Sequence, residues 1–193
     1  MSEKIIEKTC RYTIPTPEEF YERFRDKVSQ AQLPKSWEDS RAWTDSVLAI
    51  FDEIGRDFGY VPKKEWFRID RTWQIRHPDI STIVLALEYE NTDSVEEILN
   101  DELQKLLDVK AFLKVLMFYP FLSIIEVEGE CCYPEIQEKI RSARIKNPNE
   151  KYVIMSGVYL RELGAVEFSA CIFDPDGKCK NLESFQVKYA SET

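Results

Sequence analysis

Apolar residues recur at helical spacing in four stretches of the chain. Thr16-Pro17-Glu18-Glu19 is a capping-box sequence with proline in the first turn, so a first helix begins there and ends at Pro34. A second cap-like sequence begins at Ser36, and Gly59 is a suitable stop for the helix that follows it. The predicted helices cover 16–34, 36–58, 95–109 and 133–145.

Shorter apolar runs predict strands. The first alternates between polar and apolar residues, with Ile69, Arg71, Trp73 and Ile75 expected on one side. The second is apolar on both faces, as is typical of a central strand, and only a turn around His77-Pro78-Asp79 separates the two. The predicted strands are 67–75, 81–90, 112–119, 152–159 and 166–173, with an edge strand in the tail over 182–189.

This order of elements, ααββαβαββ, predicts an α/β fold with a mixed β-sheet flanked by helices. A strand, a helix and a buried strand follow one another over 81–119, which favours a right-handed parallel crossover. The 193 residues are expected to form a single α/β domain. Within it, 1–35 is interpreted as an N-terminal helical extension, 36–175 as the core and 176–193 as a C-terminal tail.

Composition narrows the classes of function. The net charge of −9 disfavours generic nucleic-acid binding, which normally needs a basic face, although a local basic patch is compatible with it. No apolar run reaches about 18 residues, so no membrane partner is expected. The five cysteines form no CxxC pair and the N-terminus has no signal-like apolar segment, which predicts free thiols in a cytoplasmic protein.

Acidic residues at the ends of the first two strands are the strongest chemical signal. A tight reversal around Asp79 places Asp70 opposite Glu88, with their Cβ atoms roughly 5 Å apart. Glu90 points to the same face as Glu88 because side chains alternate along a strand. Three carboxylates on one face need a compensating positive charge, and hard oxygen ligands favour Mg²⁺ or Mn²⁺. The alternative, without metal binding, is that Asp70 is a surface residue paired with a neighbouring arginine.

A hairpin feeding a strand–helix–strand unit, with Asp-x17-Glu-x-Glu at the strand ends, resembles the PD-(D/E)xK (restriction-endonuclease-like) nuclease superfamily over about 48–119. The resemblance implies a restriction-endonuclease-like core whose three-stranded meander takes its first strand from near 60–66. It implies that Asp70 and Glu88 ligate the metal ion and that Tyr89 lends its backbone carbonyl. Glu90 occupies the position where the family usually has lysine, and would act as a ligand or base.

Because Glu90 stands where the family usually has lysine, we consider lysines on the next helix. Lys105 borders the apolar face of that helix and is the candidate for a migrated catalytic lysine, with Lys110 as the alternative. Glu102 falls within the apolar face and needs a partner, for which Lys105 is three residues away. The resemblance also implies an acid from the helix before the sheet: Glu53 is the best match for this metal-site residue, and Asp57 is nearly as good.

The resulting hypothesis is a metal-dependent nuclease, an endonuclease or exonuclease, that hydrolyses phosphodiester bonds with Mg²⁺ or Mn²⁺ as cofactor. Nucleic acid is the expected partner, with DNA favoured over RNA. A homodimer or a partner subunit would supply specificity, since the chain is short. The alternative is a catalytically inactive protein of the nuclease fold that acts as an interaction or regulatory subunit, which the missing lysine and the acidic net charge favour.

Overall fold

The computed structural model describes residues 13–34, 40–75, 82–92, 94–119, 132–143 and 147–189. The helices are α1 (Pro17–Gln30), α2 (Ser40–Asp57), α3 (Val95–Glu97), a π-helical turn (Ile98–Glu102), α4 (Leu103–Asp108), α5 (Tyr133–Ser142) and a 3₁₀ turn (Arg161–Leu163). The strands are β1 (Val61–Trp66), β2 (Ile69–Ile75), β3 (Thr82–Glu90), β4 (Leu113–Phe118), β5 (Lys151–Leu160), β6 (Ala165–Phe173), β7 (Cys179–Asn181) and β8 (Phe185–Lys188).

Within the described residues, eight strands form one mixed sheet. Its order is β1-β2-β3-β4-β5-β6-β7, and β8 also pairs with β6. Strands β3, β4 and β5 are parallel to one another, whereas the other neighbouring pairs are antiparallel. The predicted α/β fold with a mixed sheet flanked by helices is therefore confirmed.

Two hydrophobic cores cover the two faces of the sheet. The first lies under α1 and α2, where Phe24 and Phe51 stack with ring centroids 5.2 Å apart. The second lies under α3, α4 and α5, and includes Ala86, Leu103 and Ile136. Because the interior strands are buried on both faces, their sequences are apolar at nearly every position.

Helices α1 and α2 begin and pack as their sequences dictate. The predicted capping box is present: Glu19 N–H donates to Thr16 Oγ1 (3.1 Å), and Thr16 N–H donates to Glu19 Oε2 (2.8 Å). Helix α2 approaches β2 closely at Gly55, where an added Cβ would lie 2.6 Å from Trp73 Nε1. The predicted start of α2 at Ser36 lies outside the described residues.

Strands β2 and β3 pair in the predicted register. A bulge between Trp73 and Gln74 shifts the register by one residue only beyond that point. Extending the register on the Arg71 side of the bulge by one pair places Asp70 beside Glu88. The observed pairs in this register are Arg71–Leu87, Thr72–Ala86 and Trp73–Leu85.

Some element predictions differ from the structure. The helix expected over 95–109 contains the wide π-helical turn, and an additional short strand, β7, precedes the edge strand expected over 182–189, which is present as β8. Ile69 was expected on the side of Trp73 but contacts the second core, while Trp73 lies in the first. The strand required near 60–66 is present as β1. The turn around Pro78 lies outside the described residues.

No helix in the described ranges has the length and apolar character needed to cross a membrane.

Candidate functional site

Asp70 stands near the start of β2, on the α4 side of the sheet. Its Oδ2 accepts a hydrogen bond from the backbone N–H of Tyr89 on β3, at 3.0 Å. This bond fixes the carboxylate against the end of the neighbouring strand. Burial raises the pKa of Asp70, and the negative charge of Glu102 adds to that effect.

Glu88 lies on the same face, one strand away. Its side chain is fully buried, with 0% of its surface exposed. The flanking residues Leu87 and Tyr89 belong to the first core, so alternation directs Glu88 to the opposite side of the sheet, toward α4. Asp70 and Glu88 therefore share one face, as the strand pattern predicts.

Glu102 and Lys105 approach this pair from the helix that follows β3. The ammonium group of Lys105 lies 2.8 and 2.7 Å from the two carboxylate oxygens of Glu102, and 3.3 Å from Glu88 Oε2. Glu102 ends the π-helical turn and Lys105 lies one turn later, so both project to the sheet from one side of the helix. We call Asp70, Glu88, Glu102 and Lys105 the carboxylate–lysine cluster.

The protonation states within this cluster differ sharply. Burial raises the pKa of Glu88 to about 9, and a hydrogen bond with Glu102 and the charge of Asp70 contribute to the shift. Burial also disfavours the ionised form of Glu102, but hydrogen bonds from Glu88 and Lys105 lower its pKa overall. These opposite shifts favour a proton on Glu88, and Glu102 is the carboxylate that pairs with Lys105.

The second carboxylate oxygen of Glu88 has no hydrogen-bond donor among the described residues. Oε1 is buried and accepts no hydrogen bond from any described residue. A buried oxygen in that condition is costly unless a proton or a cation satisfies it.

Glu90 and Tyr89 flank the cluster. Glu90 is partly buried, which raises the pKa of its carboxyl group, and its Oε1 accepts from the N–H of Asn91 at 2.8 Å. Tyr89 contributes its N–H to Asp70, whereas its ring packs in the first core against Tyr119. The structure thus brings Glu90 to the edge of the cluster.

Glu53 and Asp57 lie elsewhere. Both are on α2, which covers the opposite face of the sheet, and both pair with Lys27 of α1, at 3.3 and 2.9 Å. The α2 acid that approaches the hairpin is Asp52, whose Oδ1 lies 3.2 Å from Arg71 Nε on the face away from the cluster. The structure does not bring Glu53 to the predicted metal site.

A cleft opens beside the cluster on the α4 side of the sheet. Its volume is about 680 Å³. Lys105 belongs both to the cleft wall and to the cluster, whereas Lys110, the alternative lysine, is exposed on the wall. The cleft is lined by the tip of the β1–β2 hairpin, the first residues of β3, the end of α4 and Asn147.

Glu102 is the member of the cluster that the strand motif alone misses. The signal for it was the acid placed among Ile98, Leu103 and Leu106 on the helical wheel, because a buried acid requires a partner. Arg68, which lines the cleft, carried no such signal, since its position depends on how the hairpin turns.

Among the described residues, no group of three or more acidic, histidine or cysteine side chains is arranged to hold a metal ion. The cation in contact with Glu88 and Glu102 is the Lys105 ammonium group. The sequence matches no protein-family model, and its comparison with curated proteins gives no significant match.

Proposed function

We propose that this protein is a metal-dependent nuclease that hydrolyses phosphodiester bonds in nucleic acid, with Mg²⁺ or Mn²⁺ bound by Asp70 and Glu88. The observation that carries the proposal is the position of Lys105, whose ammonium lies 2.7–3.3 Å from the carboxylates of Glu102 and Glu88. Asp70 stands on the same face. Two strand-end acids with a lysine from the following helix resemble the PD-(D/E)xK arrangement with a migrated lysine.

The order of elements supports this proposal. Helix α2 precedes the antiparallel meander β1-β2-β3, a helical segment follows, and β4 pairs in parallel with β3. The restriction-endonuclease-like core consists of the same succession. A shared succession favours a fold, but function has to be argued from the site.

The donor atoms suit a hard cation. Asp70 and Glu88 offer carboxylate oxygens, and the buried Oε1 of Glu88 has no donor from the described residues. A bound Mg²⁺ or Mn²⁺ would polarise the scissile phosphate and lower the pKa of a water molecule. Glu88 must release its proton to become a ligand, so the affinity for the ion rises with pH.

Lys105 and Glu102 then have separable roles. Lys105 is held by Glu102 and projects toward the cleft wall, where its charge stabilises negative charge that develops on a phosphate. Glu90, at the edge of the cluster, is placed to orient a water molecule or accept its proton. Glu102 acts through Lys105 and is a positioning residue.

The test is plasmid nicking in the presence of Mn²⁺. Asp70→Asn keeps an oxygen that accepts the Tyr89 N–H but removes the charge, and Lys105→Gln removes the ammonium group. Each should lower the rate about a hundredfold or more, in the range measured for the loss of one transition-state contact. Circular dichroism should show that both variants remain folded.

Matched controls repeat the same chemical changes at remote sites. Asp174→Asn alters a carboxylate that accepts N–H groups in a turn after β6, and Lys180→Gln alters an exposed lysine paired with Glu18. Both should nick at the wild-type rate. Nicking that survives Asp70→Asn and Lys105→Gln undiminished would come from another site and would refute the proposal.

One observation favours a second candidate function, a catalytically inactive interaction or regulatory subunit of the same fold. Lys105 and the proton on Glu88 already compensate the buried acids, so the cluster is self-consistent as a structural ion-pair network. Under this alternative, titration with Mn²⁺ in a calorimeter gives no binding heat. Under the nuclease proposal, it gives heat that Glu88→Gln abolishes.

A further inference from the structure

The tip of the β1–β2 hairpin is basic, aromatic and exposed. Phe67 has 79% of its surface exposed and Trp66 has 36%, and the two rings contact each other edge to face at 5.2 Å. Single exposed apolar residues are ordinary, but adjacent aromatics among basic residues are characteristic of surfaces that bind nucleic-acid bases and phosphates. The exposed charged residues near this tip are Lys63, Lys64 and Arg68, together with Glu65, which pairs with Lys64 at 3.8 Å.

The backbone holds these side chains in an unfavourable conformation. The two residues that reverse the chain, Phe67 and Arg68, have φ angles of 51° and 67°. Hairpin turns of this kind favour Asn-Gly, and a bulky residue with positive φ costs about 1 kcal/mol or more. A turn needed only to reverse the chain would be better served by small residues, so the long side chains at this tip point to a role for the side chains themselves.

The same tip forms one wall of the cleft beside the carboxylate–lysine cluster. Three of the lining residues are basic, Arg68, Lys105 and Lys110, and one is acidic, Asp108. The volume of about 680 Å³ falls within the range of ligand pockets, roughly 300–1,000 Å³. Phe67 and Phe112 add aromatic surface to this basic lining.

The cleft and the cluster are physically continuous through Lys105, which belongs to both. Arg68 also acts on the cluster, because its charge helps to lower the pKa of Glu102. A negatively charged chain lying along the cleft would therefore pass from Lys110 and Arg68 toward the acidic residues. The protein has a net charge of −9, so the three basic residues at this one opening differ from its acidic overall character.

We propose that this cleft binds single-stranded nucleic acid, with an unpaired base stacked on Phe67 and backbone phosphates on Arg68 and Lys110. The inference rests on the proposed function in one respect, that the bound strand is the substrate of the cluster. Stacking on Phe67 requires a free base face, which a duplex offers only at its ends. Duplex binding also needs a broad basic face to match two phosphate backbones, and the acidic net charge disfavours one.

The test is fluorescence anisotropy with labelled oligo-dT, oligo-U and a blunt DNA duplex. Binding is measured in EDTA and again with Ca²⁺, which occupies oxygen-ligand sites. The wild type should bind a single strand more tightly than the duplex, and the two single-stranded probes distinguish DNA from RNA as the source of the strand. Failure of both single strands to bind in both conditions, or equal affinity for the duplex, would overturn the inference.

Variants locate the binding in the cleft. Phe67→Ala should weaken binding about tenfold, whereas Phe67→Tyr, which keeps the ring, should retain it. Arg68→Ala should weaken binding and reduce the slope of log affinity against log salt by about 0.7 if one phosphate contact is lost. The controls are Leu163→Ala, an exposed apolar residue in the β5–β6 turn, and Arg23→Ala, an exposed arginine on α1. Single-strand affinity unchanged in both Phe67→Ala and Arg68→Ala would overturn the inference.

The outcomes separate this inference from the proposed function. Single-strand binding that depends on Phe67 and Arg68, without Mn²⁺-dependent cleavage of the plasmid or of the bound oligonucleotides, would support the cleft and refute the nuclease. Nicking that depends on Asp70, with wild-type binding in the hairpin variants, would support the nuclease and refute the cleft.

Discussion

At the scale of single residues, the proton on Glu88 governs what the cluster can bind. The group is fully buried between a second carboxylate and a lysine. While the proton is present, Glu88 is a neutral partner of Glu102. Once it is released, Glu88 becomes an anion facing Asp70 and Glu102, with Lys105 as its neighbouring cation, and a further cation would offset the added repulsion. Under the proposed function, the same titration would couple folding stability to metal binding.

The pH dependence of stability follows from the sign of this shift. The folded-state pKa of Glu88 is about 9 against an ordinary value of 4.5, so the folded state holds the proton more tightly than the unfolded chain does. This contribution is fully present below about pH 4.5 and is lost as the pH rises toward about 9. Glu88→Gln, which cannot titrate, should lose less stability than the wild type between neutral and alkaline pH.

Urea denaturation at several pH values checks this expectation without metal. The control is Glu22→Gln, because Glu22 is exposed on α1. Its stability should follow that of the wild type across the range. Equal declines in the wild type and in Glu88→Gln would show that Glu88 keeps an ordinary pKa in the folded protein.

A second buried ion pair contributes to stability and lies away from the cluster. Lys114 on β4 is 1% exposed, and its ammonium group donates to Glu150 Oε2 at 2.8 Å. Tyr152 also donates to this carboxylate, at 3.3 Å. Burial lowers the pKa of Lys114, and Glu150 opposes that effect. Each of these two buried charges therefore depends on the other for compensation.

Removal of one partner should cost far more than removal of both. Lys114→Met leaves Glu150 buried without its cation, and we expect a loss of about 3–5 kcal/mol in the free energy of unfolding. Adding Glu150→Gln removes the stranded charge and keeps an oxygen for Tyr152, so the double variant should recover much of that loss. A double variant no more stable than Lys114→Met, measured by chemical denaturation, would contradict this account.

At the scale of elements, the helical segment after β3 places Glu102 and Lys105. The π-helical turn Ile98–Glu102 inserts a wide turn before α4, and such turns often occur at functional sites. Periodicity predicts the buried face correctly, since Ile98, Leu103 and Leu106 are buried. It does not predict the wide turn.

Helix α2 gives a sharper test of how elements fit together. In an ordinary helix, replacing glycine with alanine stabilises by about 1 kcal/mol. At Gly55 the added Cβ would lie 2.6 Å from Nε1 of Trp73, which is packed in the first core. Gly55→Ala should therefore destabilise the protein by about 1–3 kcal/mol, the usual range for overpacking.

The reverse change in the same helix is the matched control. Ala49 is exposed on α2, so Ala49→Gly reports helix propensity alone and should cost about 1 kcal/mol. Thermal or urea denaturation measures both variants. A stabilising effect of Gly55→Ala would mean that α2 does not approach β2 as closely as described.

At the scale of the whole molecule, the sequence predicts local patterns well and the pairing of distant faces poorly. Asp70 and Glu88 were expected to meet because a short turn and a period of two fix their register. Glu53 was expected at the same site, but a helical wheel does not reveal which face of the sheet a helix covers, and α2 covers the other one. The Lys114–Glu150 pair is equally hidden, because its partners belong to separate segments of the chain.

The two faces of the sheet differ in what they carry. The α1–α2 face is packed with aromatic residues and supports the strands, whereas the α4 face carries the cluster and the cleft. We propose that Asp70 and Glu88 on this second face share one divalent cation. Lys105 now balances the acids next to Glu88, so a divalent cation has to compete with its ammonium group.

Binding of a divalent cation can be seen in a crystal of the protein soaked in Mn²⁺ at alkaline pH, with diffraction data collected at the manganese absorption edge. We expect an anomalous peak in contact with oxygens of both Asp70 and Glu88, and its loss in Glu88→Gln. If no peak is present there and Lys105 still contacts Glu88 and Glu102, Asp70 and Glu88 do not share a cation.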